Sequence, residues 1–455
     1  MKLAPTIRTY IENHMREHGF KLQQFSDITG VNVGTLSAIL KGSRPMSMNQ
    51  LDQITSGMRL EKGYFYESYG VESFIESAPH WRRLEPYLYG CAELNKLDCI
   101  QQVIIHVTDD RSYIEELFGV AESFFTKGFN EAALILYECV AEGEKYQHSE
   151  RLALCQYRIF LLHKTIKQLD NLSAAIKFEP YIEKLDEEIQ LDAIKDLANV
   201  YNTIHHWDKV DKLADALERK VDFQLELQSR RLKNINRVAF YPIFTYKAYA
   251  NLLKASVCEA RKEFEKALEY TDVYAKVVEV SNPTEEEQIL IDRFKGWAEG
   301  NRYLYRLGSG EHEVIESYLD YLESNPQEIL IAFVNIFQSA NQQLLNIDFA
   351  LDRFDSYIQD FNTERHLEGT YNQQMLNHRY IRFYYELAKY RLNQQKYTIG
   401  IEALLTSLKL ASSSSDDLMS IKLIDLYGKF RSQATIEQEE LYTGLITNRS
   451  IENYI

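Results

Sequence analysis

The chain has 455 residues, of which 45% are hydrophobic and 26% charged, and its formal net charge is −16. Such a length exceeds one ordinary domain, and such a composition excludes a disordered chain. The opening Met1-Lys2-Leu3-Ala4-Pro5 lacks a signal-peptide pattern and the richest apolar run, 329–337, is too short to span a bilayer, so a cytoplasmic protein with no membrane partner is expected.

A first helix is predicted over Thr6 to His18, with Ile7, Ile11 and Met15 on one stripe and Gly19 at its end. A second is predicted from Leu22 to Thr29, burying Leu22, Phe25 and Ile28. Gly30 permits a left-handed corner, and Asn32 caps a third helix that turns Leu36, Ile39 and Leu40 inward. Ser47-Met48-Asn49-Gln50 reads as a capping box for a fourth helix, and a fifth is placed at Glu61 to Tyr69. This apolar spacing, with Gly30 and Leu36-Ser37-Ala38-Ile39-Leu40-Lys41-Gly42, resembles the Cro/repressor-like helix-turn-helix family over about 60 residues. The resemblance implies that residues 1–70 bind double-stranded operator DNA, with the third helix in the major groove. Asn32, Thr35 and Ser37 are then expected at base edges or nearby phosphates, and Gln23, Lys41, Ser43 and Arg44 at phosphates. Val33 and Gly34 stand where better-known phage repressors carry glutamines, so thymine-methyl contact or DNA shape would carry more of the specificity. A solvated helix face in a protein-interaction module is the alternative.

Charge is distributed unevenly. Residues 1–70 hold eight Lys/Arg and six Asp/Glu, a local +2 that leaves −18 on residues 71–455. One weakly basic head should bind DNA poorly, and two held together should bind better. The cysteines, Cys91, Cys99, Cys139, Cys155 and Cys258, are widely spaced and form no CxxC pair, so buried free thiols are expected.

Beyond Ser77 prolines are few and no alternating strand pattern occurs, so the body is expected to be all-α. Asn325-Pro326-Gln327-Glu328 and Ser281-Asn282-Pro283-Thr284-Glu285 both read as a capped start with a first-turn proline. Ala121, Phe124, Ala133, Tyr137 and Val140 fit the small-and-aromatic spacing of tetratricopeptide repeats, as do Ala198, Tyr201, Val210, Ala214 and Leu217. Ala255, Cys258, Ala267 and Tyr274, preceded by Phe264, fit in part; Ala340 with Phe349, and Ala388 with Tyr397 and Gly400, are weaker copies. Intervals of 57 and 48 residues depart from the regular repeat of about 34. A degenerate tetratricopeptide-like right-handed superhelix is therefore expected over 71–411, with a generic helical bundle as the alternative. Residues 412–455 break the pattern at Ser412-Ser413-Ser414-Ser415-Asp416-Asp417, where Asp416 or Asp417 could cap another helix. Thr435-Ile436-Glu437-Gln438 then caps a last one, a capping or dimerisation element.

Helical spacing around Ala198 sends Asp192, Lys195, Asn199 and Asn202 to the concave face of such a superhelix. The same count gives Asn341 near Ala340, and Arg382, Tyr385 and Lys389 near Ala388. Asparagine can bond a peptide's N–H and C=O together, Arg382 and Lys389 suit a carboxylate, Asp192 an amine, and Tyr385 an apolar wall with a polar tip. A short extended oligopeptide fits that set. Solvated helices that simply carry Asn and Lys are the alternative for each residue taken singly.

A Cro-like head followed by a tetratricopeptide-like body resembles the RRNPP peptide-pheromone receptors of Gram-positive bacteria, and the long irregular repeats are most similar to the arbitrium-receptor branch. The resemblance implies a homodimer, or a higher oligomer, on a two-fold operator, switched by a reimported signalling oligopeptide. It also implies that Asn199 and Asn202, and less closely Asn341, clamp that peptide. No nucleophile elbow, P-loop, HExxH or kinase signature occurs, so no enzyme and no cofactor is expected. Adjacent His205 and His206 point about 100° apart on a helix, which disfavours a metal site. The basic stretch Arg230-Arg231-Leu232-Lys233 to Arg237 could bind DNA or an acidic partner, though such runs are more often solvated faces. A scaffold that modulates a phosphorelay response regulator, and a plain repressor whose body only dimerises, are the competing functional readings.

Overall fold

A computed structural model describes residues 5–107, 113–147, 149–163, 168–229, 239–277, 282–360, 373–413 and 417–452. Among them every regular element is helical, as the sparse prolines and missing alternation predict. None of these helices is long and apolar enough to cross a membrane. Two compact units emerge, one of Met1–Lys164 with Ser173–Asp186, the other of Thr165–Leu172 with Glu187–Ile455.

The first unit begins with α1 (Ile7–Glu17), α2 (Leu22–Thr29), α3 (Val33–Leu40), α4 (Met48–Gly57) and α5 (Tyr66–Gly70). It continues through α6 (Trp81–Glu93), α7 (Leu97–Val107), α8 (Ile114–Lys127), α9 (Asn130–Glu144) and α10 (Glu150–Leu162). The boundary between units falls within α11 (Gln168–Phe178). Ser47 and Gln50 form the expected reciprocal cap on α4. Two expectations fail here. Ile28 is 47% exposed, because α2 turns Ser26 and Thr29 inward instead, where their hydroxyls bond the backbone. The fifth helix starts only at Tyr66 and runs into a wider π turn at Val71–Ile75. One continuous core joins Ile7, Phe25 and Leu36 to Tyr66, Tyr87, Ala121, Tyr137 and Cys155. Glu72 accepts from the Ile7 amide at 2.7 Å, and Tyr87 donates to the Tyr66 carbonyl at 3.2 Å.

The second unit holds α12 (Glu187–Thr203), α13 (Trp207–Ser229), α14 (Ile243–Ala260), α15 (Phe264–Val277) and α16 (Glu285–Gly308). Next come α17 (Val314–Ser324), α18 (Ile329–Gln343), α19 (Asp348–Arg353), α20 (Asp355–Asp360) and α21 (Gln373–Asn393). The chain finishes with α22 (Tyr397–Ser413), α23 (Asp417–Phe430) and α24 (Ile436–Glu452). From α12 to α16, and again from α21 to α23, each helix packs on the next; α18 packs on α21. The small residues Ala198, Ala214, Ala255, Ala267, Ala340 and Ala388 are fully buried at these contacts, where a larger side chain would hold the helices apart. Phe349 departs from its expected role: it is 43% exposed, and Ala350 fills the core beside it. Asn325 does not cap. Its amide donates back to the Tyr321 carbonyl, and Pro326–Glu328 forms a short 3₁₀ turn before α18. Thr284, rather than Asn282, caps α16, in a reciprocal box with Glu287. Thr435 and Gln438 exchange the bonds expected of a capping box. The basic stretch 230–237, Ser281 and Ser414 to Asp416 lie outside the described residues.

Candidate functional site

The corner between α2 and α3 is built from the backbone outward. Gly30 sits at φ 71, a left-handed conformation that a Cβ would strain, and its N–H bonds the Ser26 carbonyl at 2.9 Å. The buried Ser26 hydroxyl donates to the Val31 carbonyl at 2.6 Å. Asn32 then caps α3, its Oδ1 accepting from the Gly34 and Thr35 amides at 2.9 and 3.4 Å. That leaves the exposed Asn32 Nδ2 free to donate outward. Thr35 and Ser37 are partly exposed on α3, and Lys41 and Arg44 fully so. Arg44 reaches Thr35 Oγ1 at 3.5 Å. The guanidinium of Arg8, on α1, lies against Gly42, so that Arg8, Lys41 and Arg44 gather at the C-terminal end of α3, where the helix dipole also favours cations. Two of the expected phosphate contacts are already engaged. Gln23 donates to Asp27 at 3.0 Å, and the Ser43 hydroxyl donates to the Ala38 carbonyl at 3.2 Å.

The expected groove residues all lie in the second unit. Asp192 accepts from the Tyr246 hydroxyl at 2.6 Å and the Phe240 amide at 3.1 Å. Burial pushes its carboxyl above the ordinary range, and those two hydrogen bonds pull it back. Lys195 pairs with Asp196 at 3.3 Å and lies over the Tyr241 ring. Asn199 Oδ1 accepts from the Tyr249 hydroxyl. Asn202, one turn on, is partly exposed, with no hydrogen bond to its side chain among the described residues. Asn341 donates to the Glu386 carbonyl and carboxylate, both at 3.1 Å, and accepts from Asn393. Lys389 donates to Glu386 at 2.9 Å and covers the Tyr385 ring. Arg382 makes no hydrogen bond among the described residues.

No protein-family model and no curated protein matches this chain.

Contacts across the second unit bring its two expected clusters toward one face. The rings of His205, at the α12–α13 corner, and His378, on α21, lie 5.7 Å apart. His205 also meets Trp207, whereas His206 packs edge-on to Tyr201, so the adjacent imidazoles part company. Glu259, at the end of α14, is the residue that sequence spacing missed. Burial pushes its carboxyl up to about 7, and the charge of Arg382 partly offsets that rise. Tyr305 and Tyr318 also feel its charge. Glu328 behaves alike beside Arg379: burial raises it and the guanidinium opposes. Neither acid was visible in sequence, because each meets its arginine only through packing of helices far apart in the chain. Arg8 was invisible for the same reason.

Proposed function

We propose that this chain is a transcription regulator that binds operator DNA as a homodimer and is switched by a short oligopeptide. One observation carries the reading: a left-handed Gly30 corner and an Asn32 cap present Thr35 and Ser37 on α3, flanked by Arg8, Lys41 and Arg44. That is the layout of a helix-turn-helix of the Cro/repressor kind, with α3 in the major groove and the cations on phosphates. Asn32 Nδ2 supplies a donor for a base edge or phosphate while its Oδ1 holds the helix.

The body reads as a tetratricopeptide-like superhelix, supported by the buried alanines and the packing of each helix on its successor. Its peptide groove uses Asn202, Arg382 and Tyr385 directly. Asn199, Asp192, Lys195, Asn341 and Lys389 join by exchanging internal partners for ligand groups. Peptide binding would shift how the stacked helices pack, and so the spacing of two DNA-reading heads.

Selection from a randomised duplex pool by the full-length protein tests the first half. Enrichment of a two-fold site with half-sites about 34 Å apart, one helical turn, supports it. Failure to enrich any duplex overturns it. Lys41→Ala and Arg44→Ala should each weaken binding to the selected site and lower its salt slope by about 1, with thermal unfolding unchanged. A randomised hexapeptide library read by native mass spectrometry tests the second half, and no retained peptide rejects it.

A further inference from the structure

The corner joining α6 to α7 is tight. Asn95 takes φ 52, and the Lys96 amide bonds the Cys91 carbonyl at 2.8 Å. This places Cys91, near the end of α6, against Cys99, in the first turn of α7, so that the two thiols meet and hydrogen-bond. Both are free thiols. The Tyr87 hydroxyl reaches both sulfurs and also contacts the Cys99 and Tyr66 carbonyls at 3.5 and 3.2 Å. Cys91 is wholly buried, whereas Cys99 keeps 7% exposure, enough for a water-sized reagent.

The two sulfurs are differently disposed. Hydrogen bonding from Cys91, with smaller help from Tyr87 and the Lys96 charge, holds the Cys99 thiol below its ordinary 9.0; burial and Glu67 oppose. The same hydrogen bond, with burial, pushes Cys91 up. Burial also raises Cys155 and Cys258. Cys99 is thus the nucleophile and Cys91 the neighbour that resolves it.

We propose that Cys91 and Cys99 form a reversible redox pair, closed to a disulfide by hydrogen peroxide. The Cys99 thiolate attacks one peroxide oxygen, the O–O bond breaks, and hydroxide leaves, so that Cys99 carries a sulfenic acid. The Cys91 sulfur then attacks the Cys99 sulfur, the S–O bond breaks, and the Cys91 proton departs with the hydroxyl as water. Two electrons pass from the thiols to the peroxide. Closure acts on the N-terminal helices through Tyr87, which holds the Tyr66 carbonyl at the start of α5. The pair stands apart from the DNA and peptide surfaces, so it does not depend on the function proposed for them.

Trypsin cleaves at Lys96, between the two cysteines, and releases Cys91 in residues 84–96 and Cys99 in 97–111. The fully reduced, native full-length chain is exposed to a few equivalents of peroxide, alkylated, and digested without reductant. The two peptides should emerge linked, with an intact-mass loss of about 2 Da that dithiothreitol restores. Cys155 and Cys258 should oxidise at least about tenfold more slowly. The linking rate should rise with pH and level off below pH 9.0, the groups facing Cys99 being Cys91, Tyr87, Lys96 and Glu67. In Cys91→Ser, or Cys91→Ala if the serine variant does not fold, Cys99 should stop at a sulfenic acid that dimedone traps. Over-oxidation of Cys99 with Cys91 still alkylated, linkage only after denaturation, or equal rates at Cys155 would overturn the proposal.

Discussion

Asn199 and Asn202 sit one turn apart on α12, yet their removal should cost different things. Asn199 satisfies the hydroxyl of Tyr249, so Asn199→Ala strands a polar group and should lower stability by about 1–3 kcal/mol, read as a shifted urea midpoint. Asn202→Ala should leave that midpoint in place, which makes it the cleaner probe of ligand binding. Glu259 offers a pH signature. Its folded carboxyl titrates near 7, against an ordinary 4.5, so between those values the folded chain holds the extra proton. Stability attributable to Glu259 is therefore fully present below pH 4.5, falls as pH rises, and is lost above about 7. Glu259→Gln should flatten that decline, by about 1–3 kcal/mol between pH 5 and 8 in urea unfolding. A decline of equal size in the variant would show that another group is responsible.

At the scale of elements, Gly70 shows how closely the N-terminal helices are seated. A Cβ there would overlap the Tyr87 hydroxyl and press on Val103 at 3.1 Å. Gly70→Ala should cost about 1–3 kcal/mol by overpacking, visible as a lower thermal midpoint. No local pattern announced that contact. What sequence does announce is local chemistry: the Asn32, Ser47 and Thr435 caps form because each bond closes within three residues. The small anchors Ala133, Ala198 and Ala388 are legible because only a small residue fits where two helices touch. Ile28 misled, since an apolar residue at helical spacing need not face the core when Ser26 and Thr29 can bond the backbone there. Asn325 misled in the same way, its amide finding the carbonyl of the preceding turn first. The groove was half legible: spacing proposes which residues share a face, but packing decides that Asp192 and Asn341 already have partners.

For the whole molecule, charge sets how DNA could be held. Residues 71–455 carry −18, so attraction to a duplex has to come from the +2 head. With Arg8, Lys41 and Arg44 as the phosphate-facing cations, one head should give a log–log salt slope of about −3, and two heads about −5 to −6. Anisotropy titrations between 50 and 200 mM salt, about a fourfold span, separate the two. A slope near −3 on a two-fold site would argue against a dimeric reader.

An engineer hoping to transplant the reader onto a different sensor would be tempted to cut after Gly70. The uninterrupted interior from Ile7 to Cys155 forbids so simple a graft. Severed there, Tyr66 and Tyr69 would lose Tyr87 and Phe74 as neighbours and face solvent as a sticky aromatic wound. A working chimera would have to carry α6 and α7 along as a splint, which makes the first hundred or so residues, and not seventy, the portable cassette.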